Sequence, residues 1–205
     1  VLGIVTTLDH APLPVAELSA ASLFGGDAVH HYHQAIAVVV AESFEQARFA
    51  AQLLKVTYEQ EEGRFLLVAE AANATPAPDT DNEGPNAPDV DRVGNFEAAF
   101  DAAPVTIDQT YLTPYESHAM MEPHASLAFW EEDRLTVWTS NQMIVWAMRD
   151  LPKALGVDPD KVHILSPFVG GGFGAKLSIR SDVVTAALAS KAVGRPVKVT
   201  LQRAL

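Results

Sequence analysis

The chain has 205 residues, 48% of them hydrophobic and 20% charged, the balance of a globular protein with a core of its own and room for one large or two small domains. Its 26 acidic residues against 14 basic ones give a formal charge of −12, which opposes nonspecific binding to nucleic acid or anionic lipid, since both depend on Lys and Arg neutralising phosphate. Without cysteine it holds no disulfide, thiolate zinc site or Cys-ligated iron-sulfur cluster, and its apolar runs are far shorter than the roughly 20 residues of a membrane-spanning helix.

In chain order, Val1-Leu2-Gly3-Ile4-Val5-Thr6 reads as a strand. With no basic leader region and no initiating Met, it is read as a strand rather than as a signal peptide, and the chain is expected to begin inside a longer polypeptide. Ile36 to Val40 is a buried strand; Ser43 then caps a helix whose apolar face is Phe44, Ala47, Ala50, Ala51 and Leu54, and Lys55 to Glu59 follows as a second strand. Residues 73–93 carry Pro76, Pro78, Pro85 and Pro88 among Asp79, Asp81, Glu83, Asp89 and Asp91, which predicts an extended, solvated linker. Beyond it come a short helix at 96–102 and strands at 105–113, 126–131 and 135–139 of an antiparallel sheet. A helix from about Met143 is expected to break near Pro152, because proline lacks the amide that an interior turn requires. Lys161 to Pro167 is a strand, Ser178 to Ala192 an Ala-rich helix stopped by Gly194 and Pro196, and Val197 to Leu201 the last strand.

Between that strand and that helix lies Gly170-Gly171-Gly172-Phe173-Gly174-Ala175-Lys176. A magnesium-phosphate loop needs Gly directly before the Lys and a hydroxyl after it, and Ala175 and Leu177 fail both demands. A dinucleotide fingerprint is formally present as Gly170, Gly172 and Ala175, yet the next strand ends Thr200-Leu201-Gln202-Arg203 without the acidic residue that would hold a ribose hydroxyl. A tight turn with no ligand is the third reading of an isolated glycine run. The histidines offer no metal motif: His30, His31 and His33 cluster and His118 and His124 are six apart, without a third ligand at helical spacing. Glu122 and His124 could form an acid–base couple, since a carboxylate can orient an imidazole.

Several motifs in one order give the loop a context. Val1 to Pro14 resembles a VLTxxDxP segment, and Gln34 to Glu42 with Glu45-Gln46-Ala47-Arg48 resembles a GQPVALVVAET-EQAR strand and helix, although His33 and Ala35 stand where Gly and Pro are usual. Tyr111 to His118 leading into Met121-Glu122-Pro123-His124 is similar to YxTPxxxHxxMEPH, and Trp138-Thr139-Ser140-Asn141-Gln142, Gly156 to Val162 and the glycine loop follow. Together they resemble the molybdenum-cofactor subunit of the xanthine dehydrogenase and aldehyde oxidoreductase family, over almost the whole chain.

That resemblance implies an α+β architecture: an α/β hammerhead-like domain at 1–72, incomplete at its N-terminus, the linker at 73–93, and at 94–205 the start of the molybdopterin-binding α+β domain, truncated at its C-terminus. It implies a molybdenum-pterin cofactor, as molybdopterin cytosine dinucleotide, with FAD and [2Fe-2S] clusters on partner subunits, and oxidation of aldehydes to carboxylic acids, or hydroxylation of related heterocycles, with water-derived oxygen. The role of hydrogen-bonding an oxo ligand falls on Gln142, cofactor contacts on Gln142, Gly171, Gly172, Phe173 and Gly174, and the substrate wall on Phe173 and Leu177. Purine hydroxylases of the family place a Glu where Leu177 stands, so an apolar residue there suits aldehydes or less polar rings. The family's general base, a Glu in a later Gly-Glu segment, is not among these residues, so the isolated chain is expected to be inactive. The competing expectations are a noncatalytic scaffold of the same fold and, behind it, a dinucleotide-binding domain.

Overall fold

A computed structural model describes residues 1–14, 22–75 and 93–202, which divide into two compact units, residues 1–55 with 117–205 and residues 56–116. In the first, β1 (Gly3–Thr6) pairs antiparallel with β2 (Ala37–Val40), Ile4 opposite Val39. Alternation sets which face is covered: Val5 and Val40 are buried while Ile4 is exposed. The Ser43 hydroxyl accepts from the Gln46 amide and opens α1 (Phe44–Gln52) where the sequence places a cap. No residue of α1 is buried, so its expected apolar face is open.

The second sheet holds β3 (Ala125–Glu131), β4 (Arg134–Thr139), β5 (Val162–Leu165) and β6 (Val197–Thr200), in the order β5-β4-β3-β6. Two residues join β3 to β4, and Glu132 takes the left-handed φ of 55° that lets so short a loop follow the twist of the strands. β6 adds antiparallel to β3, whereas β5 runs parallel to β4 and is therefore reached through a crossover helix, α4 (Ile144–Leu155). The sheet is thus mixed.

α5 (Ser181–Val193) packs against both sheets. Val183, Val184, Ala186, Ala187 and Ala189 are all buried, together with Asp182, Thr185 and Ser190, so the helix is enclosed over most of its circumference. Around it the core gathers Ala128, Leu135, Val137, Ala147, Leu151 and Ile164.

Three sequence expectations fail, for identifiable reasons. The helix does not break at Pro152: α4 runs through it to a left-handed Gly156, and Val157 N donates to the Pro152 carbonyl. Proline there lies in the last turn, so a single intrahelical bond is lost, and its ring is buried against the core. The strands expected at 55–59 and 105–113 do not form. Both runs have strand-like composition, but a strand persists only where a neighbour takes up its backbone groups, and the described residues of 56–116 contain none. That second unit holds α2 (Leu67–Glu70), a 3₁₀ turn at Ala71–Asn73, and α3 (Phe96–Ala102), capped by the Asn95 carboxamide. Nearly all of the expected linker, residues 76–92, lies outside the described residues.

Candidate functional site

Because β4 and β5 are parallel neighbours, the loops that leave their carboxyl ends, 140–143 and 166–180, emerge side by side, which is where open α/β sheets place their ligands. Ser166 and Asn141 fasten them together: the Asn141 amide donates to Ser166 Oγ at 2.9 Å and the hydroxyl returns a bond to the Asn141 carbonyl at 3.0 Å. The Asn141 side chain takes the Met143 amide at 2.8 Å, which holds the turn that presents Gln142.

Gln142 is joined to the glycine loop three times. Its amide donates to the Lys176 carbonyl at 2.7 Å, and its Oε1 accepts from the amides of Gly174 at 3.3 Å and Lys176 at 3.2 Å. With the carbonyl end so occupied, the other end of an exposed side chain is Nε2, a neutral donor that no described residue engages. Gly170, Gly171, Phe173 and Gly174 all have positive φ, from 53° to 99°. Phe173 is the one residue of that set that pays a steric cost for it, and its ring, 74% exposed, belongs to no core.

Two of the glycines make room for side chains. A Cβ on Gly172 would meet Gln142 Oε1, and one on Gly170 would meet the Glu122 carboxylate. The sequence therefore brings Gln142, Gly172 and Gly174 into one constellation with Phe173 at its rim. Leu177 is half-buried and is tied to the constellation through its carbonyl, which accepts from Asn141 Nδ2 at 3.5 Å. Gly171 is exposed in the same turn.

Two residues that the motif reading gave no cofactor contact, Lys176 and His124, hold the loop. Lys176 is fully buried, and its ammonium donates to the carbonyls of Val169 at 2.6 Å and Glu122 at 2.9 Å, so the loop is closed on itself and fixed to the Met121–His124 segment. His124 Nε2 donates to the Ala175 carbonyl at 3.2 Å, a second tie. Here His124 orients backbone; among the described residues no hydrogen bond joins it to Glu122, the couple the sequence left open. Beneath it, Asp182 is buried against Ser126, whose hydroxyl lies 2.6 Å from Oδ2 and 2.8 Å from Thr139 Oγ1. Burial pushes the Asp182 carboxyl up, with the Ser126 bond and the nearby His124 opposing that rise. The collinearity of the histidine segment and the loop was the only sequence signal that these parts would meet.

The constellation suits a bulky, polar, electron-rich group. It offers bare backbone without Cβ atoms, an uncharged amide donor, and an exposed aromatic edge, all on a scaffold fixed by buried bonds.

Comparison with known proteins bears on what that group is. The family model for the molybdopterin cofactor-binding domain matches residues 79–204, and that for the a/b hammerhead domain of aldehyde oxidase and xanthine dehydrogenase matches residues 1–62. The aldehyde oxidoreductase molybdenum-binding subunit PaoC of Escherichia coli K12 is 49% identical over 203 residues, 99% of this chain and 27% of the relative. A xanthine dehydrogenase molybdenum-binding subunit of the same organism, XdhA, assigned that role putatively, is 37% identical over 177 residues, 85% of this chain and 23% of the relative. Among solved structures, the aldehyde oxidoreductase of Desulfovibrio gigas superposes with a TM-score of 0.69 at 25% identity, covering 85% of this chain and 19% of that one. The chain thus spans about a quarter of the length of the curated relatives it matches. Its α+β fold is a hammerhead domain followed by molybdopterin-binding domain sequence, and the chain belongs to the molybdenum-binding subunits of the aldehyde oxidase and xanthine dehydrogenase family.

Proposed function

We propose that the protein containing this chain oxidises aldehydes to carboxylic acids, or hydroxylates related heterocycles, and that these residues form one wall of its cofactor site. The observation that carries the reading is the 49% identity to an aldehyde oxidoreductase subunit across 203 residues, together with the Gln142–glycine-loop constellation. The domains are assigned as hammerhead at 1–72, linker at 73–93 and molybdopterin-binding domain from 94 onward.

Molybdopterin cytosine dinucleotide, bound here, would supply the redox centre for hydroxylation with water-derived oxygen. Gln142, Gly171, Gly172, Phe173 and Gly174 hold it. Gln142 Oε1 is pinned by two loop amides, so its Nε2 would be available to an oxygen of the cofactor as a fixed donor that adds no charge. Phe173 and Leu177 offer apolar surface to the substrate, which favours aldehydes over purines, because a purine's polar edge would go unpaired at a cost of roughly 1–3 kcal/mol. The general base lies outside these residues, and FAD and [2Fe-2S] clusters sit on partner subunits.

The test is a pair of assays on the full-length protein purified with its partners. Aldehydes should be turned over in preference to purines, and Gln142→Ala should lower kcat per bound molybdenum by roughly 100-fold. A variant within twofold of wild type would remove Gln142 from the chemistry, and purine preference would reverse the substrate assignment.

A further inference from the structure

A cavity of about 690 Å³ opens beside the glycine loop: Ala175 and its partner His124 line it, and so does His118, whose Nε2 would lie 3.4 Å from a Cβ placed on Gly174. Its wall departs from the rest of the chain. Acidic residues make up 26 of 205 positions, yet none of the described ones lines it, whereas His31, His33, His118, His124 and Arg180 all do. The nearby Asp182 is sealed from it, 1% exposed behind the Ser126 hydroxyl.

The polar groups are set for an incoming partner. Arg180 is anchored through Nε, which donates to the Ala175 carbonyl at 3.1 Å, so the two terminal nitrogens remain to grip a planar anion. His33 and His118 have no ring hydrogen bond among the described residues, and each can present an N–H in either charge state. Two of the four described non-glycine residues with positive φ, His33 at 62° and Ala119 at 45°, stand on this wall, and such strain gathers where a ligand is held. His33 occupies a position where the family usually has Gly, and it keeps the glycine-like backbone. The rest of the wall is largely apolar, with Ile36, Val38, Val199 and Leu201. The volume suits a small organic molecule.

We propose that this cavity binds an organic carboxylate with an apolar body. The carboxylate meets Arg180 with His33 and His118, and the hydrocarbon part packs on the Ile36, Val38, Val199 and Leu201 side.

Calorimetric titration of the full-length protein in its assembly tests this, with benzoate as probe and benzamide as its uncharged isostere. Benzoate should bind at least about tenfold more tightly than benzamide, the factor expected when hydrogen bonds to a charged group are lost. Arg180→Gln should weaken benzoate by a similar factor. His31→Glu, a change at an exposed position that leaves the fold alone, should weaken it several-fold by placing a carboxylate at the rim. No benzoate binding, equal affinity for benzamide, or binding unchanged in His31→Glu would overturn the proposal, the last by locating the ligand elsewhere. Binding is read without turnover, so it stands or falls separately from the proposed reaction.

Discussion

Replacing Gly172 by Ala drives a methyl group into Gln142. The added Cβ meets Oε1, lies 2.7 Å from Cδ and 3.2 Å from Cγ, all closer than ordinary contact. Gly172 is not in the left-handed region, so backbone strain adds nothing, and the cost is that of moving Gln142 aside. Moving it breaks the bonds from the amides of Gly174 and Lys176 to Oε1, at roughly 1 kcal/mol each, or about 2 kcal/mol in all. Gln142→Ala removes the same two bonds and should cost about the same. A double-mutant cycle on the full-length protein, read from urea midpoints, separates the explanations. If Gly172 exists to make room for Gln142, the double variant loses about 2 kcal/mol and not about 4, a coupling of about 2 kcal/mol. Simple additivity would refute the reasoning and place the cost in the loop backbone itself.

Lys176→Met leaves the Val169 and Glu122 carbonyls unpaired in a buried site and should cost roughly 3 kcal/mol, with molybdenum content of the purified assembly falling in step; a loss under about 1 kcal/mol would show that the ammonium does not close the loop. Phe173→Gly relieves a left-handed φ of 53° while removing a mostly exposed ring, and should raise stability by roughly 1 kcal/mol, whereas a drop would mean that the ring packs on something that holds it. Asp182 has its carboxyl raised by burial, so in the folded state the proton stabilises; that contribution is whole below the unfolded value near 3.9 and is lost as pH climbs through the higher folded value. Relative to Asp182→Asn, wild type should therefore lose thermal stability as pH rises above about 4, and a difference in melting temperature that does not change with pH would show that the carboxyl is not displaced.

What the sequence disclosed and what it concealed follow from the range of the interactions involved. Ser43 and Asn95 act within one turn, so their caps could be read from neighbours three residues away. Gly156 and Gly194 end their helices for a reason local to each glycine. The run 105–113 carries as much strand-forming composition as 135–139, but β4 lies between β3 and β5 and the other run has no strand beside it among the described residues of its unit. Composition states a preference, and the ladder decides it. Pro152 reverses the error: the local rule predicts a break, yet a lost bond in the last turn is offset by burying the ring.

The site divides along the same line. Gln142 and the glycines were legible as a motif, but the reason they occur together is the contact between a Gln142 side chain and a Gly172 without one, 30 positions apart. Lys176 shows the limit most clearly. A lysine after a glycine run suggests a charge presented to a ligand, whereas here its ammonium points to two carbonyls inside the protein and has no exposed surface at all. A buried ammonium is tolerable only where its hydrogen bonds are supplied, so this lysine can serve the loop solely by fixing its shape. The loop's outward chemistry is then left to groups that carry no net charge: backbone amides, the Gln142 carboxamide and the Phe173 ring. An anionic cofactor on such a surface would be positioned by dipoles that were set during folding and need not rearrange when charge moves.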